Sequence, residues 1–269
     1  MLAAAVAAAL LGACSGPTST TDATPERYIE SPKVSEQARQ AYGDGAEAAY
    51  RELAEFSMDE WLKTDVLDPA GPAPTAEQLT DGIPSHLTNS TAARWAQTVN
   101  AAIGGDDAAR EDINVLRLYT LDAPTLRLPP GNRLVTSQTI TKGTVNVGTS
   151  TTSVTPLVID FVQDAELELR NARTPFHISL QKTVQFTVVP VESDPALPTT
   201  GTTGTGTNGT AGTNGTTGTN GTAATPGATP TGAATSPFTR DPRVTWLIST
   251  FQGDVSADYE GAPDPTATD

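Results

Sequence analysis

Few residues in this chain are able to do acid–base, nucleophilic or metal chemistry. It has two histidines and one cysteine. A single cysteine forms no internal disulfide and cannot build a cysteine-ligated structural zinc site. His86 stands in Ile83-Pro84-Ser85-His86-Leu87, which reads as a loop, and His177 stands in a strand-like pattern opposite Glu168; neither has a third ligand at metal spacing. A surface histidine paired with a carboxylate is the expected role for His177, and no metal is expected. No serine occupies a G-x-S-x-G turn, and no G-x-x-x-x-G-K loop is present to cradle phosphate. No catalytic residue is therefore assigned, and no cofactor is expected. Asp106-Asp107 and Glu111-Asp112 read as the acidic start of a helix, where carboxylates oppose the positive end of the macrodipole. One polar pair remains. Gln163 and Lys182 interrupt otherwise apolar rows, which makes them the candidate pocket residues. The alternative is that the apolar face ends at this level and Lys182 reaches the rim along its methylene stem.

These residues must be positioned by two helices and a ladder of strands. Tyr42, Ala46, Ala49, Tyr50 and Leu53 share one helical face, with Trp61 and Leu62 further on, and Asp68-Pro69-Ala70-Gly71-Pro72 ends the pattern. A second helix is expected from a cap at Asn89 or Ser90 through Ala92, Trp95, Ala96, Val99, Ala102 and Ile103, closed by Gly104-Gly105. From about Thr136 the chain turns to Thr, Val and Ile. Leu157, Ile159, Phe161, Ala165, Leu167 and Leu169 alternate with Asp160, Asp164, Glu166, Glu168 and Arg170. The same parity returns in Phe176, Ile178, Leu180, Val184, Phe186 and Val188. Both apolar rows must share one face, so paired residue numbers sum to an odd value. A four-residue connection at Asn171 to Thr174 sets that sum at 345, which pairs Leu169 with Phe176, Phe161 with Val184 and Gln163 with Lys182.

The net charge of −15 excludes nucleic acid as a partner, because phosphate binding needs clustered Lys and Arg, and it excludes electrostatic adhesion to anionic lipid. Between Asp194 and Arg240 there is no charged residue and, apart from Leu197 and Phe238, no large apolar one. Such a tract buries too little surface to offset its ordering entropy, so residues 195–236 are expected to be disordered. It contains Asn208-Gly209-Thr210, Asn214-Gly215-Thr216 and Asn220-Gly221-Thr222, which match the N-glycosylation acceptor pattern, as does Asn89-Ser90-Thr91. After the tract, Val244, Trp246, Leu247, Ile248 and Phe251 form an apolar segment too short to be a domain. It is expected to pair antiparallel with the strand around Phe176 to Val189, which makes the tract an insertion between strands. Lengthening a connection from about 5 to about 45 residues costs only about 2 kcal/mol. The expectation is one α+β domain, with helices packed on a curved antiparallel sheet of about four long strands. It spans residues 33–194 and 237–257, with a disordered tail over 258–269.

Leu2 to Leu11 form a short apolar run at the N-terminus, too short to cross a membrane and suited to the core of a signal peptide. It ends in Leu11-Gly12-Ala13-Cys14, which resembles the lipobox of bacterial lipoproteins: a branched apolar residue, two small ones, then cysteine. That resemblance implies that residues 1–13 are a signal peptide and that Cys14 receives diacylglycerol and becomes the mature N-terminus. Residues 14–32 would then be lipid anchor and tether. No Lys or Arg precedes the apolar run, so the translation start is expected upstream of Met1.

Helices followed by long antiparallel strands, the last one carrying Val244-Thr245-Trp246-Leu247-Ile248-Ser249, resemble the NTF2-like, or cystatin-like, fold in exported actinobacterial-type proteins. The resemblance covers about residues 36–190 and 243–257, and it rests on element order. It implies a cone in which sheet and helix enclose an interior that binds a small ligand or serves a partner protein. The leading expectation is a non-catalytic lipoprotein domain on the outer face of the cell membrane, binding an envelope protein or a small ligand. Its alternatives are a small isomerase or hydrolase with a buried carboxylate in the cone, or a spacer that displays the Thr-rich tract.

Overall fold

The alternation in residues 157–188 has one stable outcome, a long hairpin with one greasy face. In the computed structural model, which describes residues 25–68, 71–121, 126–128, 134–149, 154–171, 174–194 and 240–260, that hairpin is β4 (Leu157–Asn171) and β5 (Thr174–Pro190). Leu169 pairs with Phe176, Phe161 with Val184, Gln163 with Lys182 and Glu168 with His177, the register that parity requires. Pairing continues to Asn171 and Thr174 themselves, so the connection is two residues shorter than expected with the register unchanged. Cys14, the three Asn-Gly-Thr sites of the tract and residues 195–236 lie outside the described residues.

The sheet is mixed and has six strands, not four antiparallel ones. β1 (Glu26–Ile29) and β2 (Lys33–Val34) pair parallel to β3 (Val135–Val147), which pairs antiparallel to β4. β6 (Trp246–Glu260) pairs antiparallel to β5, completing the order β1-β3-β4-β5-β6. Two expected boundaries therefore move. β1 lies within the 14–32 stretch assigned to the tether, and β6 runs three residues past the expected domain end at 257. Four and two mostly exposed residues are too few to show a period, which is why β1 and β2 leave no sequence signal.

Among the described residues, five α-helices accompany the sheet. A helix that was not expected, α1 (Glu36–Tyr42), takes Tyr42 and ends at Gly43, whose φ of 57° favours glycine; the expected first helix follows as α2 (Gly45–Glu60). α3 (Ala76–Thr80) starts with a capping box between Thr75 and Gln78. α4 (Asn89–Ile103) is capped by the Thr88 side chain, one residue before the expected cap. Asn89 is buried at the start of α4, which removes Asn89-Ser90-Thr91 as a glycan acceptor in the folded chain. α5 (Asp107–Leu116) has Asp106 as cap and Asp107 in its first turn, so these acids belong to a helix start.

The two chain ends flanking residues 195–239 are tied together. Asp194, with a side chain 2% exposed, accepts from Arg240 at 2.7 Å and from the Asn89 backbone N–H at 3.1 Å, at the start of α4. Glu52 of α2 accepts the N–H groups of Thr245 and Trp246 at 2.9 and 3.1 Å, fixing the entry to β6. The core beneath has two halves. One gathers Tyr50, Phe161, Phe186, Val184 and Ile248, and the other gathers Trp61, Ala165, Leu167, Leu169, Ile178 and Leu180. Along β4 and β5 the change from one half to the other falls at Gln163 and Lys182.

Candidate functional site

Ser57 and Trp61 stand four residues apart, so they share the face of α2 that lies over this polar level. Beneath them β4 supplies Gln163, β5 its cross-strand partner Lys182, and β3 contributes Gln138. The hydrogen bonds run in one sense. Lys182 Nζ donates to Ser57 Oγ at 2.6 Å, Ser57 donates to Gln163 Oε1 at 2.7 Å, and Gln163 Nε2 donates to Gln138 Oε1 at 2.7 Å. Gln138 Nε2 ends the chain on the Met58 carbonyl at 3.2 Å. Each amide and hydroxyl thus has a partner, the condition under which a polar interior is tolerated.

Lys182 is fully buried, and among the described residues no carboxylate accepts from it. Its Nζ also donates to the Val115 carbonyl at 3.3 Å and lies 4.4 Å from the centre of the Trp61 ring. Val115 belongs to the last turn of α5, and Ser57 and Met58 to the last turn of α2, so the amine sits where the negative ends of two helices converge. Trp61 Nε1 donates to the Asn114 carbonyl at 2.9 Å, and with Lys182 it satisfies two end carbonyls of α5 that no helical N–H reaches. An aromatic face and helix ends offset part of the desolvation of an ammonium. Burial still pushes the Lys182 ammonium well below its usual value.

Gln163 and Lys182 are therefore brought together as expected, but neither lines any of the three clefts described, and Lys182 does not reach the rim. At this level Ser57, Gln138, Gln163 and Lys182 are all buried. Lys182 Nζ near Ser57 Oγ pairs a base with a hydroxyl, the elements of nucleophile activation, yet Ser57 is 2% exposed and its proton is committed to Gln163. Ser57, Gln138 and Trp61 were not singled out from the sequence. Their available signals were the shared face of α2 and the inward parity of Gln138 with Ile140.

Arg117 is a second buried cation, and it is paired. It bonds to Glu60 and donates to the carbonyls of Gln78 at 3.0 Å and Asp81 at 2.6 Å, tying the end of α2 to α3. Burial lowers its guanidinium pKa and Glu60 opposes that shift.

A surface cleft of about 370 Å³ lies between α2, the turn at Ile83–His86 and residues 241–244; Glu52, Glu55, Asp59, Glu60 and His86 line it. Most of these acids are already engaged: Glu52 with Thr245 and Trp246, Asp59 with Arg27, Glu60 with Arg117 and Lys63. Asp241 at its edge is held down at about 2 by its hydrogen bonds from Arg243. His86 stacks on Phe56 at 4.3 Å and contacts Ser85 Oγ at 3.0 Å; burial lowers its pKa, against the pull of Glu52. Among the described residues no three His, Cys, Asp or Glu side chains are grouped to hold a metal, and no helix is long and apolar enough to cross a membrane. Compared with protein-family models, with curated proteins and with solved structures, the chain matches none of them.

Proposed function

We propose that this chain is an exported lipoprotein, held to the outer face of the cell membrane by diacylglycerol on Cys14. Its NTF2-like domain serves there as a non-catalytic binding module for an envelope protein. The anchor is supported by Leu11-Gly12-Ala13-Cys14 after an apolar run, with Cys14 the sole cysteine. The binding reading rests on one observation above all. The interior level where a cone-shaped enzyme or carrier needs space is occupied by the closed chain Lys182, Ser57, Gln163 and Gln138. A domain filled at that level presents its edges and outer faces to partners. The enzyme alternative asks for a buried carboxylate in the cone, and the hydrogen-bonded side chains at the level of Lys182 are an amine, a hydroxyl and two amides.

Membrane fractionation tests the anchor. The unaltered protein is expected in the membrane pellet, and Cys14→Ala in the soluble extracytoplasmic fraction. A Cys14→Ala protein that stays in the pellet, with an unchanged mass, overturns the assignment.

A further inference from the structure

β6 gives its inner edge to β5 from Trp246 to Glu260, and the start of its outer edge is covered. There the Thr88 N–H donates to the Ile248 carbonyl at 3.0 Å and Thr91 Oγ1 donates to the Ser249 carbonyl at 2.6 Å. From Phe251 to Asp258 no backbone hydrogen bond is made on the outer side among the described residues, although α5 packs against β6 and brings Asp112 beside Phe251. Eight residues of open edge form a template for strand addition, and proteins usually shorten or cover such edges. The opposite edge is formed by strands of four and two residues.

The cover stops at a cleft of about 250 Å³, lined by Thr91, Arg94, Trp95, Asp112 and Phe251. Trp95 is 2% exposed, and its indole N–H has no acceptor among the described residues. A buried donor left unsatisfied costs free energy that an incoming acceptor recovers. Along the open edge, Asp254 and Asp258 are exposed and stand four residues apart, on the outer face of the sheet. Val255 lies on the inner face, packed against the second half of the core.

We propose that the outer edge of β6 over Phe251–Asp258 takes an extended segment of a partner protein, added antiparallel and carrying basic residues four positions apart. Lysines at that spacing face Asp254 and Asp258 together across an antiparallel ladder, where opposite charges stabilise and like charges repel. The intervening side chains fall alternately beside Val255. A second copy of this chain does not fit. Two-fold pairing centred on Asp254 or on Ser256 sets aspartates directly opposite one another, every such pairing crowds four carboxylates onto one face, and each chain carries a net charge of −15.

This deepens the binding-module reading and is independent of the lipid anchor, so failure here and failure of the Cys14 assignment are separately visible. The probe is the synthetic peptide Thr-Lys-Val-Thr-Val-Lys-Val-Thr, titrated onto the full chain in low salt, beside the same peptide with glutamate for both lysines. The lysine peptide is expected to bind at least about tenfold more tightly, a difference of about 1.4 kcal/mol, and to slow amide exchange over residues 251–258. In the Asp254→Lys, Asp258→Lys double variant the preference between the two peptides is expected to reverse. Absence of binding, equal affinity for both peptides, protection confined to another strand, or dimerisation of the chain through this edge overturns the proposal. The peptide exchange leaves the protein unaltered, so the result stands even if the double variant fails to fold.

Discussion

Lys182→Met removes the buried titrating amine while keeping side-chain length and volume close to native, at the cost of the donor to the Val115 carbonyl, a loss that does not vary with pH. In the unfolded chain the lysine titrates near 10.4. In the folded chain burial moves it well below its usual value, with no carboxylate among the described residues to oppose the shift. Between those two values the unfolded state holds a proton that the folded state releases, so stability rises with pH. The contribution is complete above about pH 10.4 and is lost as pH falls toward the folded-state value, at a limiting slope of about 1.4 kcal/mol per pH unit. Lys182→Met lacks that slope. It leaves Ser57 still donating to Gln163, so the rest of the polar chain stays satisfied. Urea denaturation of both proteins at pH 7, 8, 9 and 10 reads the difference directly. The wild type is expected to gain stability relative to Lys182→Met as pH rises toward 10, with unchanged m-values. Parallel pH profiles, constant in their separation, would refute the claim that desolvation governs this lysine.

Ser57→Ala removes the acceptor of Lys182 and the donor to Gln163 in one step, and buried groups left unpaired cost about 1–3 kcal/mol each; a loss within the error of the denaturation curves contradicts the network. Asp194→Ala releases Arg240 and the first turn of α4, and is expected to lower stability by about 1–3 kcal/mol, read from the urea midpoint. Leu247→Ala, at a fully buried position of β6, is expected to cost about 2–5 kcal/mol; a cost near zero means that β6 does not carry the fold.

The level of Gln163 and Lys182 was legible because strand parity and one turn fix a register, and a slip by one residue would expose an entire apolar row. What those two residues do was not legible. Their partners Ser57, Trp61 and Val115 come from helices far away in sequence, and only docking of α2 and α5 shows that Lys182 meets two helix ends instead of solvent. The placement of β6 across the tract followed from an apolar segment that had to be buried somewhere, and β5 offers the matching edge. Its length did not, since Ser256, Ala257 and Asp258 carry no apolar period. β1 and β2 pair through their backbones beside β3, and backbone pairing of short exposed segments leaves almost no trace in side-chain type. The boundary between α1 and α2 was carried by a single residue, Gly43, whose left-handed conformation is invisible until α1 and α2 pack.

Placement of this domain at the membrane surface depends on Cys14. The direct measurement is the mass of the N-terminal peptide released from protein purified out of membranes. A peptide that begins at Cys14 and carries the added mass of diacylglycerol is the result expected. An unmodified Cys14 inside a peptide that still contains Leu11-Gly12-Ala13 would contradict the anchor, and with it the placement of this domain at the membrane surface.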